Sequence, residues 1–177
     1  MTRMRETHNE GKIEMRKQKG FSLIELLIVV AIILIIAAIA IPNLLRARMA
    51  ANESSAVGSI RTLNTAQVTY ETAYPTVGFA TTMAQLGSPA GTCTASSASG
   101  CLIDSVLTAG TKSGYTFAAG AGSGAGTPQP TYDVYGNPQT ANQTGVRSFC
   151  SFEDAVVRAT TAASVLATCD ATTGPLS

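Results

Sequence analysis

A glutamate lies near the start of a run of residues that is apolar enough to cross a membrane. The run extends from Phe21 to Ile41, and Ser22 and Glu25 are its only polar members. As an α-helix it would be about 30 Å long, which is the thickness of the hydrocarbon core of a bilayer. A carboxylate at that depth costs about 2.5–3.5 kcal/mol on insertion scales, so such a group usually has a partner and a function. The sequence therefore predicts a cationic partner for Glu25.

The junction before the apolar run can supply that cation. An ordinary signal peptide is cleaved after its apolar core, at small residues. Here the small residue, Gly20, precedes the core. Cleavage between Gly20 and Phe21 would leave the apolar helix on the mature protein and create an α-amine at Phe21. Glu25 would then lie about one helical turn from the new ammonium group, and we expect the two charges to pair.

Charge is distributed unevenly about the apolar run. Residues 1–20 contain six Lys or Arg and three Glu, whereas residues 21–177 contain six Lys or Arg and eight Asp or Glu. By the positive-inside rule the basic end stays in the cytoplasm and the remainder is exported. The exported part is too acidic overall to bind nucleic acid through bulk charge. We therefore predict a single-pass topology and no nucleic-acid contact.

The cysteines lie on the side predicted to be exported, where disulfides persist. They are Cys93, Cys101, Cys150 and Cys169. Three pairings are open, and we favour Cys93–Cys101 with Cys150–Cys169 because neighbours in sequence need the least rearrangement of the chain. No CxxC spacing occurs and the only histidine is His8, so we expect neither a metal site nor a cofactor.

A helical pattern continues beyond Pro42. Larger side chains recur at intervals of three and four residues, which predicts a buried stripe on an amphipathic helix. We expect one helix from about Phe21 to about Ala73, with a kink at Pro42 and an end imposed by Pro75. The stripe consists of Val57, Ile60, Leu63, Gln67, Tyr70 and Tyr74.

After Pro75, short apolar or β-branched runs alternate with clusters of Gly, Pro, Asn and Ser, which predicts strands and turns. An antiparallel sheet of three or four strands laid on the amphipathic half of the helix would bury one face of each, an α+β fold. The expected strands are Gly114–Ala118, Thr131–Tyr135, Val146–Phe152 and Ala155–Thr160, with a loop at Ala118–Pro130, a turn at 136–145, and short helical turns at Thr82–Leu86 and Leu102–Leu107.

The segment Lys19-Gly20-Phe21-Ser22-Leu23-Ile24-Glu25-Leu26, the apolar run after it and Pro42 resemble the N-terminus of a type IV prepilin. In that family a membrane peptidase cuts after the glycine and methylates the new phenylalanine amine. The glutamate pairs with the N-terminus of a neighbouring subunit during filament assembly. The resemblance therefore implies cleavage between Gly20 and Phe21, N-methylation of Phe21 and an assembly role for Glu25.

The resemblance also divides the chain into four parts: a cleaved leader (1–20), a transmembrane and filament-core helix (21–42), the amphipathic half of the same helix (43–74), and a globular antiparallel β head with two disulfides (75–177). A leader of 20 residues is long for pilins whose mature chain begins with phenylalanine. Translation from Met15 would give a leader of six residues, which is typical of that branch. The family's C-terminal disulfide loop is matched if Cys150 pairs with Cys169.

The implied function is structural rather than enzymatic: a subunit that polymerises into a type IV pilus on the bacterial surface. It would lie in the inner membrane before assembly, with a periplasmic head, and in an extracellular filament afterwards. The implied partners are other copies of the chain, the prepilin peptidase and methyltransferase, and the pilus assembly machinery. The alternatives are a minor pilin, a pseudopilin of a type II secretion system and, remotely, a membrane-anchored periplasmic enzyme. Four exported cysteines favour the extracellular pilin.

Overall fold

The computed structural model describes residues 20–88, 92–161, 169 and 174–175. The expected leader, apart from Gly20, lies outside these residues. By its internal contacts the chain divides into a first unit, Met1–Ala40, and a second unit, Ile41–Ser177.

Helices and an antiparallel sheet make up the described structure, which confirms the expected α+β class. The sheet has five strands in the order β1-β2-β3-β4-β5, and each neighbouring pair is antiparallel. The elements are α1 (Leu23–Ala73), α2 (Met83–Leu86), α3 (Ser105–Thr108), β1 (Thr111–Lys112), β2 (Tyr115–Gly120), β3 (Asp133–Pro138), β4 (Ser148–Phe152) and β5 (Arg158–Thr160).

Helix α1 begins two residues later than the sequence predicted and ends where it was expected to end. The helical assignment continues through Pro42, although proline cannot donate the backbone hydrogen bond of that turn. The kink expected at Pro42 stays a prediction. The last turn closes with a hydrogen bond of 2.9 Å from the Tyr74 amide to the Tyr70 carbonyl, directly before Pro75.

The sheet has five strands where three or four were predicted, and each predicted strand is shifted at one or both ends. The largest differences are at β3, which runs from Asp133 to Pro138, and at β5, which begins at Arg158. Strand β2 begins one residue and β4 two residues later than predicted, and β2 extends to Gly120.

Strand β1 was not predicted, because two residues carry no alternating pattern; it pairs Thr111 with Thr116. Strand β3 runs through Gly136, which was expected to begin a turn. A Cβ at Gly136 would lie 2.8 Å from Cε1 of Phe117 on the neighbouring strand. Glycine therefore lets the Phe117 ring lie across β3, and this contact is invisible in a local sequence pattern.

The core of the second unit forms where one face of α1 meets one face of the sheet. Most of the predicted stripe is buried there, and Val57 and Tyr74 are partly buried against it. The fully buried large side chains include Ile60, Leu63 and Tyr70 from the helix and Tyr115, Tyr132, Val134 and Phe149 from the sheet and the segment beside it. Burial of each such side chain contributes about 1.5–3 kcal/mol to folding.

Polar side chains on the buried face of α1 have partners in the segments that cover it. Gln67 is fully buried. Its Nε2 donates to the Ala80 carbonyl at 2.8 Å, and its Oε1 accepts from the Ala80 amide at 2.9 Å. Nδ2 of Asn64 donates to Oγ of Ser151 at 2.9 Å and to the Ala155 carbonyl at 3.2 Å. These bonds fix two different segments at defined positions along the helix.

We predict that Gln67→Leu destabilises the second unit although it keeps the size of the side chain. The substitution leaves the buried N–H and C=O of Ala80 without partners, and each unpaired group costs about 1–3 kcal/mol. The expected loss is therefore about 2–5 kcal/mol in the free energy of unfolding, measured by denaturant titration of the purified protein in detergent. Gln143→Leu, the same change at an exposed side chain, is the control and should change stability little. Equal stability of the two variants would contradict the role given to Gln67.

Candidate assembly site

The N-terminal junction is exposed and directly precedes α1. Both Gly20 and Phe21 are exposed, and 74% of the surface of Phe21 is accessible. Apart from its neighbours in the chain, no described residue has an atom within 4 Å of the position that a Cβ on Gly20 would take. The Leu26 amide donates to the Ser22 carbonyl at 3.2 Å, and Glu25 lies in the first turn of the helix. A carboxylate in a first turn interacts favourably with the helix dipole, and Glu25 is four residues after Phe21, whose amine the predicted cleavage would create.

The apolar run in the first unit is not covered by any residue that the structure describes. Every residue from 20 to 40 is exposed except Ala37, which is half-buried. By length and composition α1 could cross a membrane, a property that signal sequences share, and none of its most apolar window is buried. A contiguous apolar surface of this size needs lipid or protein against it.

A second polar site, which sequence reasoning missed, lies in the second unit. Oε1 of Glu53 accepts hydrogen bonds from the amides of Val146 (2.8 Å) and Arg147 (3.1 Å), and Oε2 accepts from Nε of Arg147 at 2.9 Å. The Glu53 side chain is 12% exposed. Its position seven residues before Ile60 places it on the buried stripe, and that spacing was the available signal. Its partners are 93 and 94 residues away, so they could not be inferred.

The surroundings of Glu53 act on its pKa in opposite directions. Burial raises the pKa of the carboxyl, but the hydrogen bonds from the Val146 amide and from the side chain and amide of Arg147 outweigh burial, so the pKa is lowered from 4.5. A carboxylate with a depressed pKa contributes stability above its unfolded pKa, and that contribution is lost as pH falls through the folded pKa. The connection between β3 and β4 is thus attached to α1 most firmly at neutral pH.

We predict that Glu53→Gln lowers stability at neutral pH and flattens its pH dependence. The amide would present N–H groups towards Arg147 in place of an anion, and a hydrogen bond to a charged group contributes about 1.5–3 kcal/mol. Thermal unfolding followed by circular dichroism should show wild type losing stability from roughly pH 5 downwards and Glu53→Gln losing less. Glu153→Gln, at an exposed carboxylate, should unfold like wild type. A Glu53→Gln profile parallel to that of wild type would exclude Glu53 as the responsible group.

The cysteines of the second unit form two disulfides. Cys93 is bonded to Cys101 and Cys150 to Cys169, with Cα atoms 5.8 Å apart in each pair. The first bond closes the loop whose Ser97 carbonyl accepts a hydrogen bond from the Tyr70 hydroxyl of α1. The second attaches the segment at Cys169 to strand β4. Within the described residues, no cluster of His, Cys, Asp or Glu is arranged to hold a metal ion.

Comparison with known proteins gives matches that cover a small part of the chain. The model of the prokaryotic N-terminal methylation motif matches residues 15–41. The chain is 68% identical over 40 residues to the type IV wide pilus major component PilA4 of Thermus thermophilus, which covers 23% of this chain and 30% of the relative. It is 48% identical over 54 residues to the type IV major pilin protein PilA of Myxococcus xanthus, covering 30% of this chain and 24% of the relative.

These alignments span less than a third of the length of either curated relative. No solved structure matches the chain.

Proposed function

We propose that this chain, whose N-terminal segment belongs to the type IV pilin family, is a structural subunit that polymerises into a type IV pilus. The observation that carries the proposal is the combination of the exposed Gly20–Phe21 junction, Glu25 one turn further, and an apolar helix that no described residue covers. The matched methylation motif spans the same residues. Cleavage after Gly20 would give a mature subunit that begins at Phe21, with a methylated amine.

The apolar run has two successive environments in this proposal. Before assembly it anchors the subunit in the inner membrane, with the basic end cytoplasmic and the second unit periplasmic. During assembly it leaves the lipid and packs against the same run of other copies in the filament. Lipid tails are as apolar as Leu or Ile, so this exchange gains little hydrophobic free energy. Packing alone therefore leaves the register between neighbouring helices weakly defined.

Glu25 would define the register between neighbouring helices. In a filament of identical subunits each contact is heterologous, so a group on one copy can meet a different group on the next. A carboxylate and an ammonium group are each costly alone in an apolar core and tolerable together. Glu25 of one subunit is proposed to meet the methylated Phe21 amine of its neighbour. The prepilin peptidase and methyltransferase would create that amine, and the assembly machinery would extract the subunit from the membrane.

Two observations favour a pilus subunit over a pseudopilin. Both matched relatives are named as major pilus components. The second unit also contains two disulfides, which suit a small domain exposed outside the cell. Neither feature favours an anchored enzyme.

We predict that the mature protein begins at Phe21 and is one methyl group heavier than the unmodified chain. Intact-mass spectrometry of purified filaments measures this directly. Gly20→Ala should be cut nearly normally, whereas Gly20→Phe should be cut about a hundredfold more slowly, because displacing a scissile bond by ~1 Å can cost that much in rate. The structure leaves open space at Gly20, so slow cleavage would reflect the peptidase and not misfolding. Recovery of assembled subunits with an intact leader would refute the processing scheme.

We predict that Glu25→Val permits membrane insertion and cleavage but abolishes most surface filaments. Removing the carboxylate leaves the N-terminal ammonium of a neighbour unpaired in the filament core. Immunoblots of membranes, leader cleavage and electron microscopy of sheared filaments separate the three steps. Glu71→Val, which removes a carboxylate of α1 outside the apolar run, is the matched control and should assemble. Normal filament number in Glu25→Val would leave Glu25 as a local counter-ion only.

A further inference from the structure

An open groove of 660 Å³ lies on the second unit. It is formed by α1, the turn between β1 and β2, and the connection between β3 and β4. Its walls include Leu45, Arg48, Asn52, Ser113, Asn142 and Gln143. Nδ2 of Asn52 donates to the Thr144 carbonyl at 2.9 Å, which holds the β3–β4 connection against the helix. The groove is therefore preformed, and its volume is in the range of sites that bind compact ligands.

The lining favours an anionic partner. It includes three exposed side-chain amides and an arginine but neither aspartate nor glutamate. Arg48 is exposed. The basic side chains Lys112, Arg147 and Arg158 each pair with a carboxylate of the same chain, whereas Arg48 has no such pair among the described residues. A planar guanidinium beside amide donors suits a carboxylate together with backbone carbonyls.

The chain itself carries a complementary feature on the turn between β4 and β5. Glu153 is exposed there and has no ion pair among the described residues. Its neighbour Asp154 is already paired with Arg158, with Oδ1 to Nη1 at 2.9 Å and Oδ2 to Nη2 at 2.5 Å. Glu153 is thus the carboxylate of this turn that is available to a partner.

Glu153 and Arg48 lie at different positions along the axis of α1 in the second unit. The β4–β5 turn is attached to α1 through the bond from Asn64 to the Ala155 carbonyl. Arg48 is 16 residues before Asn64 on α1, about 24 Å along the helix axis at 1.5 Å per residue. The two charges therefore cannot pair within one subunit but can pair between subunits displaced along the helix. Contacts of this heterologous kind propagate filaments.

We propose that, in the assembled filament, this groove binds the β4–β5 turn of a second copy, with Arg48 facing Glu153 of that copy. The inference rests on the proposed filament function and names a contact between subunits outside the apolar core. The groove supplies amide donors for the carbonyls of the turn, and the ion pair selects which part of the neighbouring copy enters. Charges at the edge of an interface mainly determine specificity and the rate of association.

Charge reversal tests the contact. Arg48→Glu and Glu153→Arg should each reduce sheared filament yield at least about tenfold, because each places like charges opposite one another. The double variant Arg48→Glu/Glu153→Arg should recover to within about threefold of wild type as the pair is restored with reversed polarity. The control is Arg48→Glu/Glu71→Arg, which has the same net charge but reverses a carboxylate elsewhere on α1, and it should not recover. Equal recovery of both doubles, or normal yield from either single variant, would overturn the proposal.

Cross-linking tests the same contact inside the filaments that form, with oligomer formation as the measurement in place of filament yield. Filaments of Gln143→Cys/Val156→Cys, in which Glu153 is retained and Val156 is an exposed residue of the same turn, should form reducible oligomers on oxidation, whereas either single variant should remain monomeric on non-reducing gels. Absence of oligomers from the double variant would contradict the contact. Membrane level, leader cleavage and near-ultraviolet circular dichroism identify variants that misfold, and cross-linking then decides. If Arg48→Glu assembles normally but its filaments lose binding to alginate beads, the groove takes an acidic polysaccharide and the proposal is wrong.

Failure of the groove contact can be distinguished from failure of the proposed function. Wild-type cells without filaments, or with uncleaved protein, would defeat the pilus proposal itself. Filaments that are abolished by Glu25→Val but indifferent to both charge reversals would leave the pilus proposal intact and remove only the groove contact.

Discussion

The second unit depends on the pairing of polar side chains buried on α1 with the segments that cover the helix. Glu53 binds the connection before β4, Asn64 binds the β4–β5 turn, and Gln67 binds the backbone of Ala80. An apolar stripe alone would stabilise the sheet on the helix at several positions with similar free energies. Each polar pair excludes the wrong positions, because a displaced sheet would leave a buried donor or acceptor unpaired at about 1–3 kcal/mol. Hydrophobic burial thus supplies most of the stability, and these pairs select one arrangement.

Apolar packing alone also leaves the position of the first unit's apolar run against a neighbouring helix weakly defined. Its Leu, Ile and Val side chains are exposed along the whole run and can pack against lipid or against another helix with similar free energy. Glu25 is the single charged residue in that run. Its role in the proposed filament parallels that of Glu53 in the second unit. In both cases one packing arrangement has a lower free energy than the alternatives, because every other arrangement leaves the carboxylate unpaired.

Local patterns predicted the elements whose causes are local. The three- and four-residue spacing gave α1 and most of its buried face. The short helix at Met83 follows a capping box in which Thr82 and Gln85 satisfy each other's backbone amides, a signal that four residues carry by themselves. The pattern failed where the cause is tertiary. Strand β1 is too short to alternate, and β3 extends through Gly136 because the Phe117 ring needs the space.

The functional residues also differ in whether a local sequence pattern could identify them. The junction at Gly20 and Glu25 could be identified from sequence because its residues are consecutive and their order relative to the apolar run carries the information. The Glu53–Arg147 pair spans 94 residues, and the groove draws its walls from three separate segments of the chain. Only folding brings such residues together, so their chemistry is absent from any local window.

Charge places a further constraint on a polymer of this chain. Residues 21–177 contain six Lys or Arg and eight Asp or Glu, so each subunit added to the proposed filament would contribute net negative charge. Repulsion between subunits grows as that charge accumulates, although solvent ions screen it beyond about 8–10 Å. Contacts shorter than that distance escape much of the screening. A cation of one copy placed directly against a carboxylate of the next therefore offsets the repulsion where it is strongest. The apolar core of the proposed filament can hold the subunits together, but its uncharged side chains cannot offset that repulsion.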